Sequence, residues 1–174
     1  MVNDTSALLL LDYQVALCEE GEHMRLPALA AAVRERDVIA KASKVLDAAR
    51  KAGVFVVHVR LGFDPSYELR TNRTPRWDAY PADRAMLVDS PGAQFVSALT
   101  PLATEPIVTK GSVDPFIGTS LTEMLLGNGI RKIALAGVAT NLVVESAVRH
   151  AGDSGFQVTV IEDMCASFAQ AAHD

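Results

Sequence analysis

Short apolar runs alternate with helical segments along nearly the whole chain, and this alternation restricts the fold more than any other feature. Ala7-Leu8-Leu9-Leu10-Leu11 is a continuous apolar run ending in Asp12, the pattern of a strand buried on both faces. Val38, Ala42, Val45, Leu46 and Ala49 then recur at helical spacing, and Gly53 stands where a helix stops. Val54–Val59 reads as a second strand, Pro106–Lys110 as a third, Ile133–Gly137 as a fourth and Gln157–Glu162 as a fifth. Helices over Thr119–Asn128, stopped by Gly129, and over Asn141–Ala151, capped by Thr140 or Asn141, separate the later strands. Phe168, Ala169 and Ala172 open a further helix, and a last edge element is expected to be missing or short. Strands alternating with helices make βαβ units, so the expected class is α/β around a mostly parallel sheet.

The stretch from Arg60 to Thr104 breaks the pattern. It is rich in Pro, Arg, Asp and aromatic residues and shows no dominant period, apart from a short helix near Gly92–Leu99. So long an irregular stretch reads as a functional insertion, with a solvated loop as the plain alternative. The 174 residues are expected to form one domain, 1–174, with this insertion at about 60–105.

Composition narrows the function classes. With 49% hydrophobic and 21% charged residues the chain is not a disordered one. Cys18 and Cys165 lie in no Cys-x-x-Cys or Cys/His cluster, which argues against a disulfide scaffold and a structural zinc site. A net charge of −5 argues against a nucleic-acid or anionic-membrane partner. The first residues lack a basic stretch, and the apolar run after them is too short for a signal peptide or a membrane span, so a cytoplasmic setting is expected.

In parallel α/β sheets ligands bind outside the carboxyl ends of the strands. The polar residues at those ends are Asp12, then His58 and Arg60, then Lys110, then Gly137-Val138-Ala139-Thr140-Asn141 leading into a helix. Taken singly, Asp12 also suits a turn cap, Lys110 an exposed loop and Gly137 a tight turn. Together they bring an acid, an ammonium and a helix start to one edge, an arrangement that fixes geometry and perturbs ionisation.

Asp12-Tyr13-Gln14 has the form D-x-Q, and Thr109–Leu121 contains K-x-x-x-x-x-F-x-G-T-x-L. Gly129-Ile130 and Gly137–Asn141 supply a G-I and a G-V-x-T stretch, and Val144–Ala151 and Val160–Ser167 continue the series. In this order the residues resemble the isochorismatase-like hydrolase superfamily, also called cysteine hydrolases. The resemblance implies a three-layer α/β/α Rossmann-like sandwich, often a homo-oligomer, acting on a small molecule through an Asp-Lys-Cys triad. Asp12 matches the acid and Lys110 the lysine. The cysteine belongs three residues after Thr140, and Val143 occupies that position.

Other positions follow from the same resemblance. Val138-Ala139 corresponds to a site where a non-proline cis peptide helps form an oxyanion hole, with Thr140 beside it. Gln14 is expected to hold Asp12 or face substrate, with loop-backbone bonding as the alternative. Trp77 and Phe116 are candidate pocket walls, with ordinary packing as the alternative. Nicotinamidases of the superfamily carry zinc on a D-x-H-type set. None of His23, His58, His150 and His173 pairs with a carboxylate at such spacing after the first strand, so neither metal nor cofactor is expected. Arg60, Arg70, Arg73, Arg76 and Arg84 are candidates to recognise a substrate carboxylate, or else belong to a solvated loop.

A valine offers no nucleophile, so covalent acyl-enzyme chemistry at position 143 is excluded. Ser146, one turn on, is expected to lie deeper and to need stronger activation, and Cys18 and Cys165 are poor substitutes. Isochorismatases, as the resemblance implies, hydrolyse a vinyl ether without a thiol: an aspartic acid protonates the enol-ether carbon, and water adds to the oxocarbenium-like centre. The expected function is therefore hydrolysis of a vinyl ether or related bond by Asp12 and Lys110. The alternative is a catalytically silent protein that binds a small molecule on an amidohydrolase scaffold, since Asn141–Ser146 looks more like that branch.

Overall fold

The structure is a computed structural model and describes residues 6–174. Strands β1 (Ser6–Leu11), β2 (Phe55–Leu61), β3 (Ile107–Lys110), β4 (Lys132–Gly137) and β5 (Gln157–Val160) form one wholly parallel sheet in the order β3-β2-β1-β4-β5. Helix α3 (Val38–Ala52) connects β1 to β2, α5 (Leu121–Gly127) connects β3 to β4, and α6 (Glu145–Asp153) connects β4 to β5. The chain steps from β1 one way along the sheet and from β4 the other. Right-handed crossovers then put α3 on one face and α5 and α6 on the opposite face, which is the three-layer α/β/α sandwich. Ala7–Leu11 is buried throughout, as a central strand covered on both faces must be.

The reversal of winding falls between β1 and β4. The crevice outside the carboxyl ends of those two strands is where such sheets hold ligands. The strands there approach closely. A Cβ built on Gly137 would lie 2.3 Å from the Leu11 carbonyl oxygen, a backbone atom that has no room to give. Gly137→Ala is accordingly expected to cost about 3 kcal/mol through overpacking, measured by urea unfolding.

Several elements differ from the expectation, each for a physical reason. β2 runs on through Arg60 and Leu61, because these pair with Thr109 and Lys110 of β3. β5 stops at Val160, where its register with β4 ends, and the chain turns into a 3₁₀ turn at Glu162–Met164. Two helices between β1 and α3 were not foreseen, α1 (Val15–Cys18) and α2 (Pro27–Glu35). α2 starts with a proline in its first turn and buries Leu29, Ala30 and Val33.

The 60–105 stretch is not structureless. It holds α4 (Pro75–Ala82), and the helix expected near Gly92–Leu99 is two 3₁₀ turns, Pro91–Ala93 and Ser97–Leu99. α4 contains Pro81 and little apolar periodicity. It is fixed by an aromatic cluster: Trp77 stacks on Tyr80 at 5.1 Å between ring centroids, and Phe63 meets both rings edge-on. The helix expected from Asn141 begins instead as a π-helical turn, Thr140–Val144, with no side-chain cap, before α6. The helix expected after Phe168 is a 3₁₀ turn, Gln170–Ala172. Among the described residues no helix is long and apolar enough to cross a membrane.

An ion-pair network ties the segment before β3 to its neighbours. Glu105 accepts two hydrogen bonds from Arg50 at 2.7 Å and one from the Leu102 N–H, and its Oε2 lies 2.9 Å from Nε2 of the buried His58. Burial by itself would raise the Glu105 carboxyl. Arg50, the Leu102 N–H and His58 together outweigh it and hold the group at about 2, below its ordinary 4.5. A depressed carboxylate stabilises the fold above its unfolded-state value, and that contribution is lost as pH falls toward the folded value. Wild type is therefore expected to lose its stability advantage over Glu105→Gln as pH drops from 4.5 toward 2, read from paired denaturant melts.

Candidate active site

Asp12 follows β1 with φ of 60°, a left-handed conformation that Asp adopts more readily than most residues. Lys110 ends β3, two strands away. Its ammonium reaches across to donate 2.8 Å to Asp12 Oδ2 and 3.0 Å to the Ser112 carbonyl. Both side chains are buried, Asp12 being 5% and Lys110 2% exposed, so this pair is nearly stripped of water. Burial pushes the Asp12 carboxyl above its ordinary range, and Lys110, with a smaller contribution from the Leu61 backbone, pulls it back only in part. Asp12 Oδ1 has no partner among the described residues.

Asp12 and Lys110 line a cavity of about 80 Å³, room for a few waters or a small organic molecule. Val138 and Ala139, joined by a cis peptide bond, form part of its wall just past β4. Val143, 2% exposed, lines it from the π-helical turn. Trp77 also faces it, carried there by α4. Six of the expected positions thus meet at one cavity: Asp12, Lys110, Val143, Val138, Ala139 and Trp77.

Three other expected contacts lie elsewhere. Gln14 is fully buried and spent on backbone: its Nε2 donates 2.8 Å to the carbonyls of Leu61 and Ala93, and its Oε1 accepts from the Leu61 N–H at 2.9 Å. It splices the end of β2 to the 3₁₀ turn at Pro91–Ala93, the alternative its residue type allowed. Phe116 stacks on His150 at 4.7 Å and does not line the cavity. The Thr140 hydroxyl lies 2.7 Å from His173 Nδ1, also outside the lining.

The other nucleophiles are poorly placed. Ser146 is not among the lining residues. Cys18 and Cys165 are buried; burial is the main force pushing the Cys18 thiol far up and the Cys165 thiol to about 11. Of the five arginines in or near the 60–105 stretch only Arg76 lines the cavity. Arg60 bonds Thr109, and Arg70 pairs with Asp78. Tyr80, Leu142 and Phe168 also line the wall without having been foreseen, beside the apolar side chains Leu17, Leu26, Leu29, Leu61 and Val113. Tyr80 had a signal, since it stands three residues after Trp77; Phe168 had none. Among the described residues no three His, Cys, Asp or Glu side chains are grouped to hold a metal ion.

A doubly wound α/β sandwich with a buried acid–lysine pair at its switch-point crevice defines the broad class. Comparison with known proteins makes it specific. The isochorismatase domain model matches residues 6–174, and the chain belongs to that family of hydrolases. It is 30% identical over 158 residues to a ureidoacrylate amidohydrolase RutB of Methylorubrum extorquens, covering 84% of this chain and 63% of that protein. The chain thus spans less than two thirds of that relative's length. It is 27% identical over 157 residues to the maleamate amidohydrolase of Pseudomonas putida, covering 90% of this chain and 70% of that one. The fold also matches the crystal structure of an isochorismatase family protein from Desulfovibrio vulgaris with a TM-score of 0.84 and 21% identity, over 98% of this chain and 86% of that chain.

Proposed function

We propose that the chain is a small-molecule hydrolase that works at this pocket through Asp12 and Lys110, without a cysteine nucleophile, on a vinyl ether or related bond. One observation carries the reading. Asp12 presents one carboxyl oxygen to Lys110 and keeps the other, Oδ1, buried beside the cavity with no partner among the described residues. A buried polar atom without a partner is costly, and a substrate that engages Oδ1 removes the cost.

Burial that raises the Asp12 carboxyl favours the protonated form a general acid needs. Oδ1 then delivers its proton to the enol-ether carbon, and positive charge develops on the ether carbon and oxygen. Water adds to that carbon and returns a proton to Asp12, and the hemiketal collapses to a ketone and an alcohol. Lys110 fixes the carboxyl through Oδ2 and balances the carboxylate left after proton transfer. Arg76, exposed at the rim and with no acidic partner among the described residues, suits a carboxylate on the outer end of the substrate.

A second reading is favoured by Val143. Its apolar side chain seals the wall where a nucleophile stands in the family pattern, which suits a binding protein that turns nothing over. The amide substrates named for the relatives fit the hydrolase reading less well, because they call for an acyl acceptor that Val143 does not supply. A hydrolysis screen over amides and vinyl ethers, isochorismate included, separates the readings. Turnover of vinyl ethers with amides untouched supports the first. Binding seen by calorimetry with no turnover anywhere overturns it in favour of the second.

A further inference from the structure

We propose that Phe168 is a specificity-determining residue of the Asp12–Lys110 pocket, and that Arg76 positions it. The inference rests on the reading that this pocket is where the small molecule binds. Phe168 lies on the segment after β5, far along the chain from Asp12, yet its half-buried side chain lines the same cavity as Trp77. The segment is sewn to the pocket's own wall. Ala166 bridges Val138 in parallel register, and the Thr140 N–H donates 2.9 Å to the Ala166 carbonyl. The buried Ser167 hydroxyl donates 2.6 Å to Asn141 Oδ1, and His173 lies 2.7 Å from the Thr140 hydroxyl. Every one of these partners falls within Val138–Asn141, so Phe168 is held in register with the cis peptide and the turn that carries Val143.

On its other side the ring meets α4. The Arg76 guanidinium sits 5.4 Å from the Phe168 ring centroid, in cation–π geometry. Trp77, the next residue, is locked by its stack on Tyr80, so α4 presents Arg76 from a fixed base. The rim is thereby flanked by two segments joined by this contact, α4 on one side and the Phe168 segment on the other. The Phe168 ring narrows the approach past Trp77. The Arg76 cation holds the ring while leaving its own charge at the mouth.

Trp77 is the only tryptophan in the chain, so its fluorescence reports on this pocket alone. Quenching by acrylamide and by the bulkier succinimide tests the inference. In wild type acrylamide is expected to quench well and succinimide poorly. Phe168→Ala should raise succinimide quenching several-fold while acrylamide quenching changes little, and Phe168→Leu should fall between. Arg76→Gln should move succinimide quenching the same way by less, and Arg76→Lys, which keeps the cation, should stay near wild type. Equal succinimide quenching in wild type and Phe168→Leu, with circular dichroism and melting unchanged, overturns the proposal, as does wild-type behaviour in Arg76→Gln. None of these readouts needs turnover. A hydrolysis screen that fails beside the expected quenching pattern therefore sinks the hydrolase reading alone.

Discussion

Asp12→Asn is expected to lower turnover of a vinyl-ether substrate by about 10²–10⁴-fold, the usual scale for losing a positioned general acid. The amide keeps the shape of the carboxyl but has no acidic proton to give. The substitution also leaves the Lys110 ammonium, 2% exposed, without its counter-charge, and breaking a buried pair from one side costs about 3–5 kcal/mol. Loss of activity and loss of fold are therefore read together. The double variant Asp12→Asn/Lys110→Met removes the stranded charge and should recover much of the stability while staying inactive. Urea unfolding beside initial rates measures both. An Asp12→Asn protein that folds and turns over at the wild-type rate would falsify the acid role. The pH profile gives an independent reading. A general acid works only while protonated, so the wild-type rate should fall with rising pH at a point above the ordinary carboxylate range, since burial raises the Asp12 carboxyl.

Val143→Cys is the second large effect, and it is a gain. The side chain at 143 lines the cavity with Asp12, Lys110 and the Val138–Ala139 peptide, on the turn that leads into α6. Cysteine is close to valine in size, so packing should change little. A thiol there would have Asp12 and Lys110 lining the same cavity, and helix starts favour a thiolate. Amide hydrolysis absent from wild type is expected to appear in Val143→Cys and to vanish again when Asp12→Asn is added. An inert Val143→Cys protein, correctly folded, would mean that the pocket has diverged from the amidohydrolase arrangement at more positions than 143.

The sheet could be read from the sequence because its cause is local. Ala7–Leu11 is apolar without interruption, and only a strand covered on both faces tolerates that; it became the central strand. α3 was legible through its apolar spacing and its Gly53 stop, which is the C-cap at φ 71°. α2 and α4 were not. α2 is short and rich in alanine, and α4 is set by aromatic contacts from outside the helix rather than by a stripe of its own. The edge elements were read too long, because a strand ends where its neighbour stops pairing, and no residue in β5 announces that point.

At the site, the sequence by itself determined the parts that are properties of a residue and its place at a strand end: an acid after β1, a lysine closing β3, and a valine three residues after Thr140 beyond β4. Strand order and chain direction then carry those ends to one edge whatever the details. Only the tertiary structure decided which side chains share the cavity. It drew Gln14 into backbone bonds and Phe116 onto His150, and it brought Tyr80, Arg76 and Phe168 to the rim. It also left Asp12 Oδ1 bare beside the cavity. The physical reason is range. Periodicity and turn chemistry act over a few residues, whereas burial, an unpaired oxygen and a flanked rim depend on segments that meet from opposite ends of the chain.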